Sequence, residues 1–298
     1  MTRVTQDEMI ERLLASRGTI ALLGGVDTGK TSFGLNLAAA ARAEGISTAY
    51  VDADVSRSTV GPPTCVGLKF CDELSVIDAE TVSKADELGF VGSTSPEGHL
   101  LPLVASTHRL VVHARKFGCE MIIIDTSALI SGVAAELLKY YKLELTQPDC
   151  VIGFQRGEEL QPILGVVSRF FPAEVTALKV SRAVVERSAE ERLAARESSL
   201  ASYFQPPLSR WRVKPTVFMP SIPPETDLSL LDGMVVGLET GSEFCAGIGL
   251  LEYESEENVL RMVSSVTDGA KGLRLGSVRI STEGKLLGRV TLPDLLAN

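Results

Sequence analysis

The sequence predicts an α/β fold: a mostly parallel sheet flanked by helices, then a charged helical stretch and a small all-β C-terminal domain. Three observations lead there. In the first half, short apolar runs alternate with Ala/Leu-rich helical patterns, as parallel strands joined by crossover helices require. The first apolar run empties into a glycine-rich turn that opens a helix. After a cluster of prolines the pattern changes to short β runs punctuated by glycine.

Along the chain, residues 1–18 mix acids, bases and apolar residues at helical spacing. Residues 18–25 (GTIALLGG) read as a buried strand entering a glycine turn, and 31–45 as a helix closed by Gly45. A second strand, 47–54 (STAYVDAD), ends in acids. Residues 101–117 have helical period, 119–127 (CEMIIIDTS) form a third strand, 132–146 a helix and 148–155 another strand. Residues 163–170 (ILGVVSRF) and 174–180 (EVTALKV) are further β candidates. A charged helical stretch spans 182–204, and Pro206, Pro207, Pro215, Pro220, Pro223 and Pro224 mark the segment beyond it as a linker or extended wrap. The expected organisation is an α/β domain over 1–204 including the charged helix at 182–204, a linker at 205–231 and a β domain at 232–298.

Composition bounds the function. The 298 residues are 45% hydrophobic and 22% charged, which suits a globular chain and excludes intrinsic disorder. A net charge of -9 argues against coating nucleic acid non-specifically, while leaving room for a local basic crevice. No apolar run suits a membrane span, and the N-terminus lacks the apolar core of a signal peptide. The five cysteines show no CxxC pair, so free thiols and a cytoplasmic location are expected.

The sharpest signal is Gly24-Gly25-Val26-Asp27-Thr28-Gly29-Lys30-Thr31, a match to G-x-x-x-x-G-K-[ST] between a strand and a helix. Glycines let successive N–H groups point at phosphate oxygens, and the following helix directs its positive end at the same anion. Lys30 is then expected on the β/γ-phosphates, Thr31 on Mg²⁺, and Ser32 with them among the nucleotide-binding residues. This makes the fold one of P-loop NTPase type, binding ATP (or GTP) with Mg²⁺. A second signal is Asp52-Ala53-Asp54 at the end of the next strand. Alternate strand residues share a face, so both acids are expected at the phosphates, one on the metal and one taking a proton. Asp125, after four apolar residues, competes with Asp54 for the metal.

Together, G-x-x-D-x-G-K-T and the later VDADVSRSTVGPPTCVGL resemble the polynucleotide 5′-hydroxyl kinase family, whose members include the pre-mRNA cleavage/tRNA-splicing kinase and the pre-rRNA-processing kinase. Asp52, Asp54 and residues 61–68 match the family's D-x-D and P-P-G-x-V stretches, while Ser56-Arg57 replaces Gly-Gln. Thr126-Ser127-Ala128-Leu129 stands where a Gly-Trp clasp is expected, and Trp211 lies outside that motif as a packing residue. The stretch before Tyr203-Phe204 resembles an arginine-bearing lid, with Arg192 and Arg196 at i, i+4 and Arg187 about one and a half turns away.

The resemblance implies an ATP-dependent kinase acting on the 5′-hydroxyl end of RNA or DNA. Asp54 (or Asp52) is the expected base. Lys30, Arg187, Arg192 and Arg196 neutralise the moving phosphoryl group, and Arg57 and Lys69 contact acceptor phosphates. Protein partners are expected on the β domain. The replaced Gly-Gln and Gly-Trp support an alternative, a catalytically altered nucleotide-binding or ATPase scaffold in RNA processing or assembly. A small-molecule kinase is a third reading.

Overall fold

The computed structural model describes residues 4–181 and 183–291. Arg182, where the expected lid begins, and the last residues of the expected β domain, 292–298, lie outside them. The first helix, α1 (Gln6–Ser16), opens on a capping box: Glu8 N–H donates to Thr5 Oγ1 at 3.2 Å and Thr5 N–H to Glu8 Oε2 at 2.7 Å. Then follow β1 (Gly18–Gly24), α2 (Lys30–Ala43), β2 (Thr48–Ala53), β3 (Cys65–Phe70) and β4 (Glu87–Phe90). The core continues with α3 (Leu100–Phe117), β5 (Met121–Thr126), α4 (Val133–Thr146), β6 (Cys150–Gln155), α5 (Gln161–Phe170) and β7 (Glu174–Lys179). After α6 (Ala189–Tyr203) come β8 (Ser209–Val213), β9 (Phe218–Met219), β10 (Met234–Glu239), β11 (Cys245–Glu254), β12 (Val259–Ser264), β13 (Gly272–Ile280) and β14 (Leu286–Arg289).

One of the β candidates is a helix. Residues 163–170 belong to α5, which buries Ile163, Leu164 and Val167 on one face. The run is short and rich in β-branched residues, so its composition suggests a strand, but its burial repeats at helical spacing. Pro162, at the start, fits a first helical turn.

The sheet is mixed, with order β14-β13-β10-β11-β4-β3-β2-β5-β1-β6-β7. One end of it, β2-β5-β1-β6-β7, is parallel, so these strands all deliver their C-terminal ends to one side. There β1 lies between β5 and β6, and the glycine-rich loop leaves from the middle of that side. One face of this parallel part packs Ile20, Leu22, Tyr50 and Ile123 against Phe33 and Leu37 of α2, with Met9 and Leu13 of α1 behind them. The other packs Val51, Ile122 and Ile124 against Leu103 and Leu110 of α3 and Leu138 of α4.

Beyond β2 the neighbours turn antiparallel, through β3 and β4 to β11 by the single pair Cys245↔Leu88. The proline-rich stretch carries structure of its own: β8 pairs with β12, and β9 with β13. Leu88 and Phe90 share a core with Leu200 and Phe204 at the end of α6 and with Val235, Ile248 and Val278 of the C-terminal strands. All five cysteines are free. Among the described residues, no helix is long and apolar enough to cross a membrane.

Gly67 shows how tightly the cleft-bearing loop is set on this frame. It faces Asp52 across the β2–β3 ladder, and a Cβ there would lie 2.1 Å from the Val60 carbonyl oxygen. Gly67→Ala is therefore expected to cost about 3 kcal/mol, read as a lowered melting temperature, because backbone rather than a flexible side-chain tip must move.

Candidate nucleotide and phosphoryl-transfer site

The loop after β1 sets the site. Gly29 takes φ +86° and Asp27 φ +47°, so the chain curls tightly before Lys30 starts α2. A Cβ at Gly24 would meet Thr28 Oγ1 at 2.7 Å and the Phe154 carbonyl oxygen at 2.9 Å, which leaves room only for glycine. Val26 to Ser32 line a cleft of about 840 Å³, with Gly24 and Gly25 buried below. Lys30 is 7% exposed and donates to the carbonyls of Gly24 at 2.9 Å and Gly25 at 2.8 Å. Burial pulls its ammonium below the usual lysine range, against the attraction of Asp125 and Asp54.

Thr31 Oγ1 donates to Asp125 Oδ2 at 2.6 Å, and Tyr50 OH donates to the same oxygen at 3.1 Å. Asp125 Oδ1 is buried and has no hydrogen-bond partner. Burial raises the Asp125 carboxyl, and the Lys30 charge opposes that rise. A threonine hydroxyl beside a carboxylate oxygen with spare acceptor capacity is a hard-oxygen donor set that fits Mg²⁺, which takes few protein ligands and completes its shell with water and phosphate. Among the described residues no cluster of three or more His, Cys, Asp or Glu side chains forms a cage for a metal.

The structure separates the two acids of the D-x-D. Asp54 lines the cleft and accepts Ser56 N–H at 3.0 Å and Ser56 Oγ–H at 2.9 Å. Asp52 is fully buried, and its carboxylate accepts the N–H groups of Asp54 at 2.9 Å, Val60 at 3.1 Å and Thr59. Burial, with the Asp125 and Asp54 charges, pushes Asp52 well above the usual carboxylate range. Asp52 thus builds the 54–60 turn, and Asp54 stands on it. The shared-face expectation for the pair is not met, because β2 ends at Ala53 and the alternation of a strand stops with it.

Arg57, Arg187, Arg192 and Arg196 line the same cleft. Ser188 caps α6, accepting Glu191 N–H at 3.1 Å while Glu191 Oε2 accepts Ser188 N–H at 2.6 Å. The helix therefore begins after Arg187, which corrects the expectation that all three lid arginines share it. Arg187 approaches through its backbone, its N–H donating to Asp27 Oδ2 at 2.9 Å. Asp27 also pairs with Arg57 and with Arg192, each at 3.5 Å, so one loop carboxylate gathers both flanks of the cleft. Arg196 Nε donates to the Ser56 carbonyl at 2.8 Å. The Ser56-Arg57 pair is thus built into the contact between lid and loop.

Lys69 is not brought to the cleft. It lies opposite Tyr50, away from the C-terminal end of β2, and pairs with Asp86 at 2.7 Å. Trp211, on β8, packs with the C-terminal strands. Of the clasp segment, Ala128 lines the cleft while Leu129 turns to the α3/α4 side of the sheet.

Sequence reasoning missed Arg156. It follows β6, donates to the carbonyl of Asp27 at 2.7 Å and pairs with Glu186 at 3.1 Å, bridging loop and lid. Its position just past a parallel strand, beside the strand carrying the loop, was the available signal.

A family model for the mRNA cleavage and polyadenylation factor CLP1 P-loop matches residues 24–206. The chain is similar to the polyribonucleotide 5′-hydroxyl-kinase PH0197 of Pyrococcus horikoshii, at 25% identity over 92% of this chain and 89% of that one. It is likewise similar to the polyribonucleotide 5′-hydroxyl-kinase MJ1315 of Methanocaldococcus jannaschii, at 26% identity over 90% and 89%. Among solved structures, a wild-type Clp1p–Pcf11p complex has the same fold, with a TM-score of 0.71 at 14% identity, over 91% of this chain and 77% of that one.

Proposed function

Because the chain belongs to the CLP1 P-loop family, we propose that it is an ATP-dependent kinase that phosphorylates the 5′-hydroxyl end of RNA or DNA. The observation that carries this reading is the meeting of Lys30, Thr31, Asp54 and the lid arginines in one cleft. The kinase names of the relatives support it.

In this reading the loop N–H groups and the N-terminus of α2 bind the triphosphate. Mg²⁺, held through Thr31 and Asp125, neutralises phosphate charge when bound. Asp54, at the cleft wall, accepts the proton of the 5′-hydroxyl as that oxygen attacks the γ-phosphorus. Lys30, Arg192 and Arg196 balance the charge spreading over the transferring oxygens, and ADP leaves. Arg187 shapes the lid entry, and Arg57 sits where it meets acceptor phosphate. We place the work in a reducing, cytoplasmic setting consistent with the free thiols. We assign a protein partner to the C-terminal strands; the similar Clp1p fold was solved in complex with Pcf11p.

The test supplies γ-labelled ATP with 5′-hydroxyl RNA and DNA oligonucleotides and uses a Lys30→Ala control. Label is expected on the 5′ end of at least one polymer and absent with the control. ATP hydrolysis with no label on either polymer would sink the kinase reading in favour of an ATPase scaffold.

A further inference from the structure

The C-terminal strands hold a second cavity, which shares no lining residue with the nucleotide cleft and has no part in the reaction above. It measures about 370 Å³ and opens between β8 and the 265–271 loop that leads into β13. Its floor is apolar: Leu238 of β10 is 1% exposed, and Met262 of β12 and Leu273 of β13 are each 4% exposed, yet all three border the cavity. Trp211 and Val213, on one face of β8, form a wall, with Met262 directly opposite Trp211 in the ladder. Val217, an exposed apolar side chain, stands at the mouth.

The rim is charged. Lys214 and Lys271 are exposed there and, among the described residues, neither has an ion-pair partner. Asp268 is the acid beside them, and Arg212 is already paired with Glu257 at 3.7 Å. Along the same wall β8 is an edge strand: among the described residues it pairs with β12 and with no other strand.

Each feature constrains the occupant. A free strand edge takes an extended chain, which hydrogen-bonds to it and sets alternate side chains on the face that Trp211 and Val213 share. A nucleobase fits the floor poorly, because its polar ring edges would lose water there without gaining hydrogen-bond partners. An aliphatic or aromatic side chain has nothing polar to lose and gains by leaving water. Two unpaired lysines at the rim, in a chain of net charge -9, suit carboxylates on the incoming strand. A second copy of this chain brings the same negative charge and, across a twofold contact, the same lysines.

We propose that this cavity docks an extended, acidic segment of a partner protein, which pairs with the free edge of β8, seats a large apolar side chain against Trp211 and meets Lys214 and Lys271 with carboxylates. The inference rests on the assignment of a partner to the C-terminal strands, to which it gives a place and a chemistry, and it is independent of phosphoryl transfer.

The probe is the acetylated, amidated peptide Thr-Asp-Thr-Phe-Thr-Asp-Thr, whose phenylalanine and aspartates fall on one face of a strand. Trp211 is the chain's single tryptophan and the peptide has none, so the indole emission of the full chain reports on the cavity itself. The emission is expected to change saturably as peptide is added, and hydrogen exchange to slow along β8. A peptide with alanine in place of phenylalanine is expected to bind at least about tenfold more weakly. Lys214→Glu together with Lys271→Glu is expected to weaken binding roughly tenfold, with melting temperature and phosphoryl transfer unchanged. No saturable change in emission, or equal binding by the alanine peptide or by the double variant, overturns the proposal. Protection confined to other C-terminal strands overturns the cavity while keeping the partner assignment, and protection in the α/β core alone overturns both. Tighter binding of a single-stranded oligonucleotide that the double variant abolishes makes the cavity a nucleic-acid contact instead. A dimer of the chain that the double variant dissociates makes it an interface between copies.

Discussion

Lys30→Ala is expected to lower phosphoryl transfer by roughly 10³-fold while the protein stays folded. The magnitude follows from position. Lys30 is 7% exposed, at the start of α2 and beside the loop, in surroundings where a charge interacts far more strongly than in water. Its present partners are two backbone carbonyls, so the side chain is available to phosphate oxygens without breaking a structural ion pair. Burial already disfavours the charged form, so removing it should not lower stability. The measurement is kcat with end-labelled product, together with ATP affinity and melting temperature. Transfer retained within tenfold would mean that Lys30 does not face the transferring group.

Asp54→Asn and Asp52→Asn are expected to fail in different ways, and the contrast tests which acid is the base. Asp54→Asn should lower kcat by about 10²- to 10³-fold, because a carboxylate that accepts the hydroxyl proton cannot be replaced by an amide. ATP affinity and melting temperature should change little, since the local partners of Asp54 are the N–H and hydroxyl of Ser56. Asp52→Asn should instead lower stability by about 2 kcal/mol. Its two oxygens accept three backbone N–H groups, and an amide nitrogen cannot accept any of them. If Asp52→Asn leaves stability intact and abolishes transfer, the roles are reversed.

The loop was legible because its chemistry is contiguous: glycines, lysine and threonine act together within one turn of chain, between a strand and a helix that the apolar pattern already marks. Asp54 and Asp125 were legible as strand-end acids for the same reason. Asp52 looked equivalent to Asp54, yet it turns its oxygens to the backbone of residues 54, 59 and 60. Arg187 looked helical with Arg192, yet the Ser188–Glu191 capping box starts the helix after it. The short apolar run at 163–170 carries no periodicity that separates helix from strand.

What the sequence by itself determined is the local chemistry: a phosphate cradle at the end of the first strand, acids one strand away and arginines on a polar helix. Each is specified by residues close in the chain, whose spacing and backbone freedom act without help from elsewhere. Only the tertiary structure decided which acid faces the cleft, how Arg156 joins loop to lid, and that β8, β10, β12 and β13 border a second cavity. It also decided that the C-terminal strands join the parallel core through β4 and β11. The reason is physical: a cleft takes its shape and charge from segments far apart in the chain, and only the packed sheet brings them together.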